Sequence, residues 1–124
     1  MILAIDFDGT IVRGKFPNID GLVPDAKLYI PRLKKAGHYI IINTCRSGDL
    51  LTEAINYLLQ HEIPFDRVND NHPDTTKQYN NNSRKVYAHC YIDDKNLGGF
   101  PGWAEAYDAI MRADYEYKQQ NEQQ

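Results

Sequence analysis

The sequence predicts an α/β fold in which a parallel sheet is covered by helices on both faces. Short apolar runs of strand length alternate along the chain with amphipathic stretches of helix length. The apolar runs are uninterrupted, which is typical of strands that are buried on both faces. Polar residues follow three of these runs directly, at the position where parallel sheets carry their ligand sites.

The first apolar run, Met1 to Ile5, is too short for a helix and predicts a buried strand that ends at Asp6. The next stretch, Gly9 to Gly21, is rich in turn residues and predicts a loop or a small hairpin. We expect its residues 11–20 to form a flap that is too short to be a cap domain.

A first helix is predicted to open at Pro24 and Asp25 and to end at Gly37, with basic residues in its final turns. The residues expected on its packed face are Ala26, Leu28, Tyr29, Leu33 and Ala36.

The second strand is predicted over His38 to Asn43, and a second helix from about Asp49 to His61. The residues expected on the packed face of this helix are Leu51, Ala54, Ile55, Leu58 and Leu59. A short third strand is predicted within Pro64 to Val68.

The segment from His72 to Ser83 is polar and predicts a long surface loop with one helical turn. Val86 to Ile92 predicts the fourth strand, and a last helix is expected from about Trp103 to Tyr115. Residues 118–124 lack apolar side chains, so we expect this tail to fray. A single domain is therefore predicted to span residues 1–117.

Composition excludes several classes of protein. The chain has 124 residues and a net charge of −3 without a block of basic residues, which argues against a general nucleic-acid or anionic-membrane surface. No apolar run approaches the ~20 residues of a membrane span, and no secretory signal opens the chain, so we expect a cytoplasmic protein. Cys45 and Cys90 are expected to be reduced, and the four histidines lack zinc-ligand spacing.

Chemistry-bearing side chains gather where the predicted strands end. They are Asp6 and Asp8 after the first strand, Thr44 and Arg46 after the second, and Asp93 and Asp94 after the fourth. Because the carboxyl ends of parallel strands meet at one edge of the sheet, we expect these residues to lie close together. Crowded carboxylates repel one another unless a cation holds them, and oxygen ligands without Cys or His favour Mg²⁺.

The spacing of Asp6 and Asp8 places both carboxylates on the same side of an extended backbone, with Phe7 turned away. Gly9 allows the backbone to turn sharply behind them, and Thr10 can satisfy local backbone groups as the turn closes. The motif therefore presents two acids to one substrate.

On these residues the chain resembles the haloacid-dehalogenase-like (HAD) superfamily of phosphohydrolases. The first family motif, Asp-x-Asp-Gly-Thr, stands at Asp6 to Thr10, and the second, an apolar strand ending in Thr or Ser, ends at Thr44. The third, a lysine ahead of the fourth strand, is best matched by Lys85, and the fourth is the acidic pair Asp93 and Asp94. The resemblance implies a three-layer, Rossmann-like, HAD-like fold with a minimal cap or none.

The resemblance also implies a Mg²⁺-dependent phosphatase that works through an aspartyl-phosphate on Asp6, with Asp8 as general acid and base. The residues it implies for phosphate or substrate binding are Gly9, Thr44, Cys45 and Lys85. Arg46 is a further candidate because it lies two positions after Thr44, at the expected mouth of the site. Those it implies for the metal are Asp6, Asp8 through its carbonyl, Asp93 and Asp94.

Several assignments leave alternatives open. Lys77 and Arg84 compete with Lys85 for the role of neutralising the negative charge of Asp6 and of the phosphate. Arg46 is either a phosphate ligand or part of a structural ion pair, and residues 69–71 either line the rim of the site or do not. We expect the aromatic side chains near the last helix to pack in the core instead of stacking on bases. They are Phe100, Trp103 and Tyr107.

The substrate is expected to be a phosphorylated small molecule or macromolecule, because a site without a cap is open to both. A small substrate would then be sealed by the flap, by the loop after the third strand or by a second copy of the chain. The alternatives are a catalytically weak binding or regulatory module, a phosphotransferase, or a phosphatase that processes nucleotides or nucleic-acid ends.

Overall fold

The chain folds around a short parallel sheet. The computed structural model describes residues 1–122. In chain order its elements are β1 (Ile2–Ile5), β2 (Val12–Arg13), β3 (Gly21–Leu22), α1 (Ala26–Lys35), β4 (Tyr39–Ile42), α2 (Gly48–Gln60), β5 (Arg67–Val68), α3 (Pro73–Tyr79), β6 (Cys90–Ile92) and α4 (Trp103–Glu122).

The central sheet has four strands in the order β5-β4-β1-β6, and every neighbouring pair is parallel. In the register of the sheet, Leu3 of β1 lies opposite Ile40 of β4 and Cys90 of β6. The strands β2 and β3 pair separately as an antiparallel hairpin, with β2 inside the predicted flap of residues 11–20 and β3 directly after it. The predicted α/β class with a parallel sheet is confirmed.

The two faces of the sheet are covered unequally. On one face, side chains of β1 and β4 such as Leu3 and Ile40 belong to a large core that includes residues of α1, α2 and α4. On the other face, Ala4 and Ile41 pack against Val86 and Ala88, and α3 has no buried residue. The prediction of helices on both faces therefore holds only in part, because most of the second layer is an irregular segment.

The predicted packing faces of the first two helices need correction. In α1 the buried residues are Ala26, Ile30 and Leu33, whereas Leu28 and Ala36 are exposed. Successive helical residues are 100° apart, so Leu28 lies on the far side of the stripe that starts at Ala26. In α2, Leu59 is exposed for the same reason, since it follows the buried Leu58 by one position.

The region before β6 also differs from its prediction. The fourth strand is limited to Cys90–Ile92, although Val86 is buried as expected. The Tyr91 hydroxyl donates a hydrogen bond to the Val86 carbonyl (2.7 Å) and accepts one from the Ala88 N–H (3.1 Å). These side-chain bonds replace strand pairing in this segment. The polar stretch before it contains α3, which is longer than the single turn predicted.

The last helix continues past the predicted boundary at Tyr115 to Glu122. The prediction of a frayed tail is wrong for residues 118–122, which are helical. Lys118 forms an ion pair with the nearly buried Asp114 one turn earlier, at 2.9 Å. The remaining two residues of that tail, 123 and 124, lie outside the described residues. Among residues 1–122, no helix combines the length and the apolar character needed to cross a membrane.

Candidate functional site

Three carboxylates converge at the carboxyl edge of the sheet. β1 and β6 are neighbours, and the Asp6 N–H extends their ladder by donating to the Ile92 carbonyl at 2.9 Å. This pairing places Asp6 beside Asp93 and Asp94, and one carboxylate oxygen from each lies within 4.8 Å of the others. The structure thus brings together the acids that the sequence placed at the ends of two separate strands.

Asp6 is the most perturbed of these acids. Burial, a hydrogen bond with Asp94 and the negative charge of Asp93 raise the pKa of Asp6 from its ordinary value of 3.8 to about 8. Three acids this close need a proton or a cation between them. Their all-oxygen donor set fits the ligand preference of Mg²⁺, with Asp6, Asp93 and Asp94 as the residues that would hold it.

This shift predicts a pH-dependent loss of stability in metal-free protein. Because the pKa of Asp6 is raised in the folded state, its protonation stabilises the fold fully below about pH 4, and this contribution disappears as the pH rises toward 8. An asparagine at this position cannot ionise. With a chelator present, we expect the melting temperature of Asp6→Asn minus that of the wild type to increase between pH 5 and pH 8. A difference that stays constant over this range would contradict the assignment.

Gly9 allows the first loop to approach the acidic cluster. Its φ is +81°, and its N–H donates to the Val12 carbonyl at 2.8 Å to close a tight turn. A Cβ on this residue would lie only 2.6 Å from Cγ of Asp94. Close approach and left-handed geometry therefore both require glycine here.

We predict that Gly9→Ala is more damaging than an alanine at a glycine with similar backbone geometry and open space around it. Gly37 provides that control, since its φ is +95° and a Cβ there meets nothing within 4 Å. Each alanine costs about 1 kcal/mol of backbone strain, and Gly9→Ala costs roughly 1–3 kcal/mol more through overlap with Asp94. Chemical denaturation measures both losses, and equal losses would contradict the close packing.

Asp8 is held by Arg46. The guanidinium donates through Nε to one Asp8 oxygen and through an Nη to the other, both at 2.8 Å. This bidentate geometry fixes the plane of the carboxylate. The Asp8 side chain is still 28% exposed, whereas the Arg46 side chain is fully buried.

Arg46 has four further partners, one of which is the Leu50 carbonyl at 3.3 Å. Its guanidinium lies 5.1 Å from the centroid of the Phe7 ring and 5.2 Å from that of Phe16, and it donates to the Pro17 carbonyl of the flap at 2.9 Å. Most donors of the guanidinium are therefore engaged within the protein. The ion pair with Asp8 is present, and the role of Arg46 as a phosphate ligand stays a prediction.

The loop after β4 is fixed by Asn69. The Thr44 N–H donates to the Asn69 side-chain oxygen at 2.8 Å, and the Asn69 amide donates to the Thr44 carbonyl at 2.9 Å. The Thr44 hydroxyl accepts a bond from the Arg46 N–H at 3.1 Å, which closes a local turn. Of residues 69–71, Asn69 supports the site, whereas the buried Asn71 binds the backbone of Ser83 and Tyr87.

The lysines are arranged differently from expectation. The ammonium of Lys85 lies 5.1 Å from the centroid of the Tyr91 ring, and within residues 1–122 it forms no hydrogen bond or ion pair with the acidic cluster. Lys95 approaches the cluster instead, with Nζ 3.8 Å from Oδ2 of Asp94. Lys95 was not among the predicted site residues, although it directly follows the acidic pair in the sequence.

The acids open into a cavity of about 370 Å³, within the usual size range of small-molecule sites, roughly 300–1,000 Å³. Its walls are formed by Asp6, Asp8, Gly9, Gly14, Phe16, Cys45, Asp93, Asp94 and Lys95. Phe16 was not among the predicted site residues. The aromatic side chains near α4 pack as predicted, with Trp103 buried and donating to the Thr10 carbonyl at 2.8 Å. Cys45 and Cys90 are both free thiols.

Comparison with known proteins identifies a relative but no described activity. No protein-family model and no curated protein matches the sequence. A solved structure of a conserved protein from Bacteroides thetaiotaomicron is similar, with a TM-score of 0.81 and 36% sequence identity over 90% of this chain and 90% of that one. At this identity and coverage, the chain belongs to the same family as that conserved bacterial protein.

Proposed function

We propose that the protein is a Mg²⁺-dependent phosphatase of the HAD-like type that cleaves phosphate monoesters through an aspartyl-phosphate on Asp6. One observation carries the proposal. The carboxylates of Asp6, Asp93 and Asp94 converge within 4.8 Å, and the cavity that they line also contains Asp8. In this proposal they supply a carboxylate nucleophile, an acid-base partner and the ligands for a divalent cation.

The proposed reaction has two steps. In the first, a carboxylate oxygen of Asp6 forms a bond to phosphorus while the bond from phosphorus to the leaving oxygen breaks, and Asp8 gives that oxygen its proton. In the second, Asp8 takes a proton from water as the water oxygen bonds to phosphorus and the bond to Asp6 breaks. Arg46 contributes by holding Asp8 in one orientation between these steps.

A bound Mg²⁺ would offset the negative charge of Asp6 and of the phosphoryl oxygens. Asp6, Asp93 and Asp94 would hold it, and the exposed Lys95 at the rim adds a positive charge near the phosphoryl oxygens. Thr44 and the backbone at Cys45 would bind phosphoryl oxygens in this scheme. Lys85 would have to leave the Tyr91 ring to take the basic role assigned to it by family resemblance.

A binding or regulatory module without useful turnover is the second candidate. The observation that favours it is the engagement of both Asp8 oxygens by Arg46, because proton transfer requires an available carboxyl oxygen. Turnover measurements separate this module from the phosphatase.

The test is hydrolysis of a panel of phosphate monoesters by the wild type in Mg²⁺ and in chelator. The panel should include phosphorylated sugars, nucleotides, peptides and nucleic-acid ends. Asp6→Asn is the inactive control, and Asp108→Asn is a matched exchange at an exposed carboxylate on α4. We expect Mg²⁺-dependent release of phosphate by the wild type and by Asp108→Asn only. Equal, slow hydrolysis by all three proteins would contradict the proposal.

The metal site predicts thermal stabilisation by Mg²⁺. At ten times its dissociation constant, a ligand that binds only the folded state adds about 1.4 kcal/mol, which raises the melting temperature by roughly 3–8 °C for a domain of this size. Asp93→Ala should remove most of this shift, and Asp108→Ala should leave it unchanged. Absence of a shift in the wild type at millimolar Mg²⁺ would contradict the metal site.

A further inference from the structure

We propose that Phe16 forms a leaving-group subsite, and that the preferred substrate is a phosphate monoester whose alcohol carries a flat, apolar ring close to the ester oxygen. This inference rests on the proposed phosphatase function and adds a substrate class to it. It starts from the placement of Phe16, which lines the same cavity as Asp6 and Asp8.

The Phe16 ring offers an apolar surface at the site. The residue is 57% exposed, although burial of a phenylalanine side chain away from water is energetically favourable. Within residues 1–122, five of the other exposed large apolar residues lie on helices, Leu59 and Tyr115 among them, and these five do not line this cavity. Phe16 differs from them because it stands in the wall of the cavity that contains the proposed nucleophile.

The ring is also held in place. The buried guanidinium of Arg46 lies 5.2 Å from its centroid, and the same guanidinium donates to the carbonyl of the adjacent Pro17 at 2.9 Å. Arg46 therefore ties the tip of the flap to Asp8 and stacks against the aromatic ring. Because Arg46 already restricts the Phe16 side chain, binding of a ligand ring to it costs little additional side-chain entropy.

Most of the other residues in the cavity wall are charged. Apart from Phe16, Cys45 and two glycines, its residues are the four acids and Lys95. Asp6, Asp8, Asp93 and Asp94 are committed to the phosphoryl end in the proposed function, so Phe16 is the large apolar surface left for the alcohol. Aromatic pairs contribute about 0.5–1.5 kcal/mol beyond their buried area, which corresponds to roughly 2–12-fold in affinity.

The test compares kcat/KM for benzyl phosphate and ethyl phosphate, in which both leaving groups are primary alkoxides and only one carries a ring. We expect the wild type to prefer benzyl phosphate by about 3–10-fold, mainly through a lower KM. Phe16→Ala should lose this preference, so that its kcat/KM values for the two esters differ by less than about 2-fold. Phe16→Tyr retains the ring and should keep the preference.

A second measurement does not depend on turnover or on any variant. Benzylphosphonate should bind the Mg²⁺-loaded wild type about 3–10-fold more tightly than ethylphosphonate. If ethyl phosphate is hydrolysed but neither comparison shows a preference for the ring, the subsite is wrong and the phosphatase proposal stands. The subsite is also wrong if Phe16→Ala affects both esters equally. If neither ester nor any other monoester is hydrolysed, the proposed function fails and this inference fails with it.

Discussion

Asp6→Asn will lower kcat for phosphate ester hydrolysis by roughly 10⁴–10⁶-fold and leave the fold intact. The amide cannot attack phosphorus, so the covalent route is closed. A 10⁴-fold loss corresponds to about 5.5 kcal/mol of transition-state stabilisation. Stability should not fall, because the exchange removes a carboxyl group whose pKa is raised to about 8 by burial and by its acidic neighbours.

Steady-state kinetics and thermal denaturation of the same preparation test this expectation. Asp108→Asn, on the exposed side of α4, controls for a general effect of removing a carboxylate. Retention of more than a tenth of the wild-type kcat in Asp6→Asn would mean that another group attacks phosphorus.

Arg46→Ala will cause a larger loss of stability than truncation of any other charged side chain at the site, on the order of 2–4 kcal/mol. The fully buried guanidinium forms two bonds to Asp8, one to Pro17 of the flap and one to the Leu50 carbonyl of α2 (3.3 Å). Truncation leaves Asp8 without its partner and leaves a gap between Phe7 and Phe16. We also expect kcat to fall, because Asp8 and the flap lose their common anchor.

Chemical denaturation measures this loss, and Arg67→Ala provides a surface comparison. Arg67 forms a single hydrogen bond to Asp70 at 2.7 Å in a partly exposed ion pair, so Arg67→Ala should cost much less stability than Arg46→Ala. Arg46→Lys should be intermediate in stability, since lysine retains the charge but cannot form the bidentate contact. Equal losses of unfolding free energy at positions 46 and 67 would show that burial of the Arg46 ion pair does not increase its contribution to stability.

Part of the site could be predicted from sequence because the carboxyl ends of parallel strands meet at one edge of a sheet. Asp6 and Asp93 are 87 positions apart, yet each follows an apolar run. A parallel sheet brings such strand ends together whatever the chain between them does, and the acidic cluster follows from that topology. The same reasoning predicts Thr44 at this edge. Such a prediction needs only the apolar runs that mark where the strands end.

Contacts made by loops could not be predicted in this way. Arg46 reaches Asp8 and Pro17 because the flap folds over it, and no periodic pattern encodes that path. The position of Lys85 depends on an irregular segment in which Tyr91 bonds to backbone groups in place of strand pairing. The end of α4 was missed because its polar last turns are stabilised by Lys118 and Asp114, and not by an apolar face.

The central claim of this account is a covalent phosphoryl group on Asp6, and rapid acid quench during turnover of a good substrate tests it most directly. Peptide mass spectrometry of the quenched protein should find one added phosphoryl group on the peptide that contains Asp6 in the wild type. With an aryl phosphate, whose leaving group departs without a proton from Asp8, the amount should be higher in Asp8→Asn, where release by water is slowed. Asp6→Asn should carry none. Full Mg²⁺-dependent turnover without phosphorylation of Asp6 in either protein would contradict the account.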